Sequence, residues 1–211
     1  ADNFNMSSTG AHKEAASPHT TSQPTRKKRK KPRRRKHPSD TLKIAHYNAH
    51  GLKLKETLVK SFIEKEKIDV MGNVETFMYG TNIEDENFQW DPGTEELPHP
   101  STGKVYKGMG FLSLRGTQIG QIYKGQYSHW MRLQLQHHET PIYICECYFP
   151  NSQKLGEHKE AWKEVCEQAR KNKREGHLII MGDFNAHTQA NGDTHPLDKA
   201  GKLLLEQFKN L

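Results

Sequence analysis

Five side chains with oxygen or amide donors follow hydrophobic runs of the sequence, each at or just past the point where a run ends. Two are carboxylates, two are carboxamides and one is a phenol. Carboxylate and carbonyl oxygens are the ligands that hard cations such as Mg²⁺ or Mn²⁺ prefer. A hard cation beside amide and phenol donors is suited to the hydrolysis of a phosphate ester. The five residues are Asn48, Glu75, Tyr148, Asp183 and Asn185.

The elements that carry these residues mix strands with single helices, which predicts a layered α/β or α+β domain. In such a domain the strand ends at one rim converge on a single cleft, so we expect the five side chains to meet there. Strands are predicted over 42–48, 68–75, 110–114, 129–136, 141–151 and 177–185. Helices are predicted over 54–66, 155–174 and 198–209. Apolar residues have no regular spacing over 79–107, which is predicted to be a long loop or a set of short excursions of the chain.

The first predicted helix has apolar residues at helical spacing, which indicates one buried face. The residues of that predicted face are Leu54, Leu58, Val59, Phe62 and Ile63.

Composition excludes two classes of protein. No apolar run approaches the roughly 18 residues that a transmembrane helix needs, so no membrane partner is expected. The three cysteines are odd in number, and Cys145 and Cys147 are two residues apart, which argues against a disulfide framework. The same pair has no second metal-binding element nearby, so a zinc site at these cysteines is not expected.

Positive charge is concentrated at the start of the chain. Residues 1–40 hold 11 basic and 3 acidic residues, a charge of +8, so the remaining 21 bases and 22 acids leave −1. This segment has few large apolar side chains and cannot bury enough surface to offset the entropy of ordering. We therefore predict a disordered basic tail over 1–40 and a folded domain over 41–211.

The tail contains a dense basic cluster between Arg26 and Lys36. Such a cluster predicts nuclear localisation and sequence-independent contact with nucleic-acid phosphates. The alternative is a basic linker with no dedicated partner, which would leave the protein cytoplasmic. The nucleic-acid-binding candidates in the cluster are Arg26, Lys27, Lys28, Arg29, Lys30, Lys31, Arg33, Arg34, Arg35 and Lys36.

Five motifs occur along the chain from about Leu42 to Leu211. They are N-x-x-G-L from Asn48, D-V-x-x-x-x-E-T from Asp69, G-x-G-F-L from Gly108, Y-F-P-N from Tyr148 and I-I-M-G-D-F-N-A-H from Ile179. The segment GDFN after a hydrophobic strand is the most specific. In this order the motifs resemble the endonuclease/exonuclease/phosphatase superfamily of metal-dependent phosphodiesterases. The sequence is most similar to the endonuclease domain of non-LTR retrotransposons.

The resemblance implies a four-layered α/β sandwich, in which two mixed sheets face each other and helices flank them. It also implies that Glu75 binds the metal ion, Mg²⁺ or Mn²⁺, and that Asn48 supports the metal shell. Asp183 matches the aspartate that orients or deprotonates the attacking water.

The same resemblance implies residues that contact the phosphate. Asn185 matches the amide that stabilises the developing phosphorane, and Tyr148 matches the tyrosine that contacts the scissile phosphate. Asn151, in the same motif as Tyr148, is expected to contact nucleic acid. The implied partner is DNA, and a reverse transcriptase domain is expected in a longer parent polyprotein.

The sequence departs from the family pattern at two places. Repair members place an acid two residues after the asparagine, where this chain has His50. The family's C-terminal acid and Ser-Asp-His segment have no counterpart after His187, and His195, which precedes Pro196, is a poor substitute. We therefore expect a domain that is incomplete at its C-terminus and that nicks DNA weakly or not at all.

Three functions remain open from the sequence. The first is a metal-dependent DNA endonuclease of a mobile element. The second is a catalytically inactive nucleic-acid-binding remnant of that domain, without the C-terminal histidine segment. A weaker third is a phosphatase or RNA deadenylase of the same superfamily. The thirteen histidines are scattered along the chain and are interpreted as surface residues.

Overall fold

The computed structural model describes residues 41–79, 83, 85–94, 97, 99–104, 107–136, 138–189 and 193–211. The predicted basic tail and its cluster from Arg26 to Lys36 lie outside the described residues. The strands are β1 (Ile44–Asn48), β2 (Val70–Val74), β3 (Phe88–Pro92), β4 (Met109–Leu114), β5 (Ile119–Lys124), β6 (Ser128–Leu133), β7 (Ile142–Tyr148) and β8 (His177–Asp183). The helices are α1 (Leu52–Glu66), α2 (Leu155–Asn172) and α3 (Lys199–Asn210).

The described strands form two mixed sheets of four strands each. The first sheet has the order β1-β2-β4-β3 and the second has the order β5-β6-β7-β8. One pair in each sheet is parallel, β1 with β2 and β7 with β8, and the other pairs are antiparallel. Because a helix connects each parallel pair, each sheet contains one β–α–β unit.

Three apolar clusters define the layers. One lies between α1 and the first sheet and includes Leu52 and Ile63. A second joins the inner faces of the two sheets through Phe111 and Ile144. A third, centred on Trp162, packs α2 and α3 against the second sheet. The predicted four-layered α/β sandwich is confirmed.

The region predicted to be a long loop contains a strand. Residues of β3 pair with β4, from Phe88 opposite Leu114 to Pro92 opposite Gly110. The sequence FQWDP has no clean alternation and ends in proline, which is tolerated here because β3 is the edge of its sheet. These residues therefore form a strand because they pair with β4, and this pairing depends on the tertiary structure. Strand β5, also at an edge, was not among the predicted strands.

The predicted buried face of α1 is wrong for three of its five residues. Leu54, Leu58 and Phe62 are exposed by 95%, 68% and 48%. Val59 and Ile63 are buried, as predicted. At 3.6 residues per turn, the two groups form separate stripes, and the flat sheet beneath the helix covers only one of them.

The prediction that the histidines lie at the surface is wrong at two described positions. His129 is fully buried against the Phe111 ring, with centroids 5.1 Å apart, and lies 3.3 Å from Asp91. His158 is 1% exposed and packs against the Phe149 ring. Each imidazole packs against a phenylalanine ring, a tertiary contact that spacing along the chain does not reveal.

Candidate active site

The carboxyl ends of the parallel strands meet at one rim of the sandwich. In the first unit, Asn48 lies opposite Val74 in register, so Glu75 is the first residue past that pair. In the second unit, Tyr148 and Asp183 are themselves register partners at the ends of β7 and β8. The two strand ends of each unit therefore bring their polar residues side by side.

Backbone hydrogen bonds fix the segment that carries Glu75. The amide of Gly51 donates to the Glu75 carbonyl at 2.8 Å, and the amide of Leu52 donates to the Thr76 carbonyl at 2.9 Å. Gly51 is left-handed at φ 94°, which suits glycine and begins α1 directly after the turn. The turn between β1 and α1 is thus bonded to the residues that follow β2.

The Glu75 carboxylate has a hydrogen-bond partner on each oxygen. Tyr148 donates its hydroxyl to Oε1 at 3.0 Å, and His50 Nδ1 lies 3.0 Å from Oε2. The Asn48 amide also interacts with this carboxylate. Partial burial by itself raises the pKa of Glu75, but these partners outweigh it and hold the pKa below its ordinary value. The carboxylate is therefore ionised at neutral pH.

The Asp183 carboxylate belongs to the second sheet and is contacted from the first. Asn48 donates its side-chain amide to Asp183 Oδ2 at 3.2 Å, across 135 positions of sequence. The backbone amide of Asn185 donates to Oδ1 at 3.0 Å. Because Asn48 contacts both carboxylates, Glu75 and Asp183 share one site.

A side chain cannot be accommodated at the glycine of the GDFN motif, Gly182. Gly182 has φ 143°, and a Cβ there would lie 2.1 Å from the Cys147 carbonyl oxygen on the neighbouring strand. A side chain would push β8 away from β7 at the position just before Asp183. Glycine therefore keeps Asp183 and Tyr148 in register at the rim.

Left-handed backbone conformations cluster at this rim. Glu75 (φ 50°), His50 (φ 41°) and Asn185 (φ 46°) have positive φ, an uncommon state for residues other than glycine. Phe77 and Gln189, also with positive φ, are close to them in sequence. Strain that persists at a polar cleft is a feature of functional sites.

The remaining predicted contacts lie beside this cluster. Asn185 donates its side-chain amide to the Phe149 carbonyl at 2.9 Å, which leaves the second amide hydrogen for another acceptor. Asn151 is exposed and lines a cleft with Asp183 and Asn185. The structure therefore brings Asn48, Glu75, Tyr148, Asp183 and Asn185 together at one rim, with Asn151 on the wall of the adjoining cleft.

Two residues beneath the rim were not recognised from sequence. His46 Nδ1 lies 2.7 Å from Glu146 Oε1, and Glu146 is fully buried between the sheets. Burial raises the pKa of Glu146, and the nearby Asp183 raises it further, against the opposing effect of His46. A Cβ on Gly72 would lie 1.8 Å from Glu146 Oε2, so the glycine in β2 makes room for this carboxyl.

A sequence signal for this pair did exist. Glu146 and His46 are ionisable residues in the middle of otherwise apolar strand runs, where a charged side chain requires a partner. His50 was noticed only as a departure from a family pattern. Its contact with Glu75 depends on the left-handed turn after β1, which the sequence did not show.

The donor set at the rim suits a hard divalent cation. Glu75 has both oxygens oriented by neighbours and is ionised, and each carboxylate oxygen keeps a second lone-pair site. Asn48 directs its amide nitrogen toward the carboxylates, so its carbonyl oxygen remains as an acceptor. Carboxylate and carbonyl oxygens fit Mg²⁺ or Mn²⁺.

Comparisons with known protein families and solved structures agree with this fold and with the placement of its strand ends. A family model described as endonuclease-reverse transcriptase matches residues 142–211, which include β7, α2, β8 and α3. None of the curated proteins matches the chain. Among the described residues, no helix has the length and apolar character needed to cross a membrane.

Solved structures share the fold at low sequence identity. The endonuclease domain of TRAS1, a telomere-specific non-LTR retrotransposon, has a TM-score of 0.63 at 14% identity, over 81% of this chain and 70% of that one. The 3' phosphatase NExo from Neisseria, bound to a product DNA hairpin, has a TM-score of 0.58 at 12% identity, over 81% and 71%. An AP endonuclease from Archaeoglobus fulgidus has a TM-score of 0.52 at 14% identity, over 79% and 70%.

These likenesses confirm the resemblance seen in the motifs. The chain has the fold that these nucleases and phosphatases share, and it resembles the endonuclease/exonuclease/phosphatase superfamily. Within that superfamily, the family model matches its C-terminal third to endonuclease-reverse transcriptase sequences. Enzymes of this superfamily generally use divalent metal ions.

Proposed function

We propose that this chain is the endonuclease domain of a mobile element, and that it hydrolyses a DNA phosphodiester with Mg²⁺ or Mn²⁺ as cofactor. One observation carries the proposal: Glu75 of the first sheet contacts Tyr148 of the second, and Asn48 of the first contacts Asp183 of the second. Each carboxylate is thereby paired with a neutral donor from the opposite sheet.

The roles follow from the contacts. Glu75 and the Asn48 carbonyl would hold the cation, which when bound supplies positive charge that offsets charge on the phosphate oxygens. Asp183, oriented by Asn48 and by a backbone amide, is placed to hold a water and accept its proton.

The phosphate would be contacted by neutral donors. Asn185 has one amide hydrogen fixed on the Phe149 carbonyl, so the other has a defined direction for an oxyanion. Tyr148 donates its hydroxyl to Glu75 and is the register partner of Asp183, so it is associated with both carboxylate-bearing strand ends. Asn151 on the cleft wall is proposed to contact the nucleic acid beside the scissile bond.

Nicking of supercoiled plasmid DNA tests the endonuclease. The wild-type chain is incubated with Mg²⁺, with Mn²⁺ and with a chelator, beside Asp183→Ala and the control Glu139→Gln, which alters an exposed carboxylate outside the site. We expect at most weak, cation-dependent nicking by the wild type and the control, and loss of that nicking by Asp183→Ala. Cation-independent cleavage that Asp183→Ala retains would contradict the proposal. DNA binding with no nicking in any protein would favour the inactive remnant.

The basic cluster is proposed to tether the domain to DNA and to direct it to the nucleus. Deleting residues 26–36 removes ten positive charges and changes the net charge from +7 to −3. We expect non-specific DNA affinity to fall sharply, together with its dependence on salt, because counterion release drives such binding. Equal affinity and salt slope before and after the deletion would assign binding to the folded domain instead. A parent polyprotein with a reverse transcriptase domain is part of the same proposal.

A further inference from the structure

Three potential metal ligands lie together on the segment between β8 and α3. The Nδ1 atoms of His187 and His195 each lie 3.4 Å from Asp193 Oδ1. The two imidazole rings stack with their centroids 4.3 Å apart. One ligand atom from each residue lies within 4.8 Å of the other two. The side chains are 45%, 65% and 21% exposed, for His187, His195 and Asp193 respectively, so an ion could reach them from solvent.

The spacing of these atoms fits a tetrahedral metal. Zinc lies about 2.0–2.1 Å from imidazole nitrogen and about 2.0–2.2 Å from carboxylate oxygen, so neighbouring ligands of a tetrahedral site are roughly 3.3–3.5 Å apart. Both nitrogen–oxygen separations, at 3.4 Å, fall in this range. A direct hydrogen bond between the same atoms would be shorter, at about 2.7–2.9 Å for a charged donor and acceptor.

The Asp193 carboxylate of the cluster is oriented by two backbone hydrogen bonds. Its Oδ1 accepts the backbone amide of His195 at 3.0 Å, and its Oδ2 accepts the backbone amide of Thr188 at 2.9 Å. Such outer contacts are the kind that fix the orientation of metal-bound carboxylates.

His187 is itself anchored to the fold. Its carbonyl accepts the backbone amide of Asp198, the N-cap of α3, at 3.2 Å. Gly201 packs so closely on that carbonyl that a Cβ there would lie 1.9 Å from the oxygen. One ligand is therefore held by the start of α3, while the side chain lines the same cleft as Asp183 and Asn185.

We propose that His187, Asp193 and His195 bind a transition-metal ion of the Zn²⁺ type, at a site separate from the oxygen-rich cation site of Glu75 and Asn48. Two imidazoles and one carboxylate are a ligand set of open zinc sites, which leave a fourth position for water or for an anionic oxygen. Because imidazole selects transition metals over Mg²⁺, the two sites discriminate between cations. The alternative is that Asp193 contacts the two histidines without a metal ion.

Metal titration distinguishes a metal site from a cluster that holds no metal ion. Calorimetric titration with Zn²⁺ is done on the chelator-stripped chain carrying Glu75→Gln, which weakens binding at the other site. Into this background are placed His187→Ala, Asp193→Asn and His195→Ala, with His177→Ala as the control because His177 is an exposed histidine at the start of β8. We expect each ligand variant to lose at least tenfold in Zn²⁺ affinity, the control to match the background, and millimolar Mg²⁺ not to compete.

Spectroscopy provides a second measurement that does not depend on the folding of the three ligand variants. Co²⁺ added to the Glu75→Gln chain should give the intense visible bands of a tetrahedral site, and Zn²⁺ should abolish them. Weak octahedral bands alone, or Zn²⁺ affinity that is equal in the three ligand variants and the background, would overturn the proposal. Neither readout involves nuclease activity, so the result is independent of the function proposed for Glu75 and Asp183.

Discussion

The two β–α–β units of the molecule have the same topology but hold their carboxylates differently. In the first unit, Glu75 lies beyond the strand end in a left-handed conformation, with His50 and Tyr148 on its two oxygens. In the second, Asp183 is the last residue of β8 and accepts the Asn48 amide and a backbone amide. Both carboxylates therefore have a hydrogen-bond partner on each oxygen. The partners of Glu75 are two side chains, whereas Asp183 has one side-chain partner and one backbone amide.

The helices of the two units differ as well. Helix α2 buries Trp162 and Val165 in a cluster that also holds residues of α3. Helix α1 buries Leu52 and Ile63 but leaves the stripe of Leu54, Leu58 and Phe62 exposed. The second unit is thus covered by two helices and the first by one among the described residues. We expect the second unit to depend more on its helix for stability.

The largest expected effect tests this difference between the helices. Trp162 is 2% exposed and stacks on Phe184, with ring centroids 5.7 Å apart. Trp162→Ala should lower the free energy of unfolding by about 3–5 kcal/mol, because it removes a large buried side chain and leaves a cavity. Phe62→Ala on the exposed stripe should change it by less than about 1 kcal/mol. Denaturant unfolding measures both, and equal losses would contradict the comparison.

The next largest effect tests whether the two carboxylates have the different roles proposed for them. Asp183→Ala should reduce nicking by roughly two orders of magnitude or more at any Mg²⁺ concentration, because it removes the group proposed to position the water. Glu75→Gln should instead weaken cation binding, so part of its loss should be recovered by raising Mg²⁺. Nicking rates over a range of Mg²⁺ concentrations measure the difference. If Asp183→Ala were rescued by Mg²⁺ and Glu75→Gln were not, the two roles would have to be exchanged.

A smaller effect tests the contact between the sheets. Tyr148→Phe removes the hydroxyl that donates to Glu75 Oε1 at 3.0 Å and keeps the ring. The loss of one such hydrogen bond is about 1 kcal/mol, or roughly fivefold in Mg²⁺ affinity. Tyr143→Phe is the matched control, because its hydroxyl donates to Glu175 on the outer side of the sheet. Isothermal titration with Mg²⁺ should separate the two variants, and a similar drop in both would remove Tyr148 from the site.

The smallest effect is on acid stability. The pKa of Glu75 is lower in the folded protein than its ordinary value, so its contribution to stability is present above roughly pH 4.3 and is lost as the pH falls through the folded pKa. The advantage of wild type over Glu75→Gln, below about 1 kcal/mol, should therefore shrink between about pH 6 and about pH 3. Unfolding free energies at several pH values measure it. A constant difference across that range would show that the carboxylate is not stabilised by its neighbours.

The sequence predicted the site better than its surroundings. Asn48, Glu75, Tyr148, Asp183 and Asn185 were chosen because each ends a hydrophobic run, and the rule that parallel strand ends converge was sufficient to group them. Their catalytic and metal-binding roles remain predictions. By contrast, His50 and the pair of His46 and Glu146 were not placed in the site. His50 reaches Glu75 through a left-handed turn, and His46 and Glu146 lie inside strands and not at their ends.

What the sequence by itself determined is the set of elements with a strong local period and the polar residues that end them. Strands β7 and β8 and helix α2 are examples, because continuous apolar runs and helical apolar spacing indicate the type of element locally. Only the tertiary structure decided that β3 pairs at a sheet edge, that α1 turns Leu54 to solvent, and that His187 meets His195 around Asp193. Each of these depends on the position of a neighbouring element, and that position follows from the packing of the whole domain.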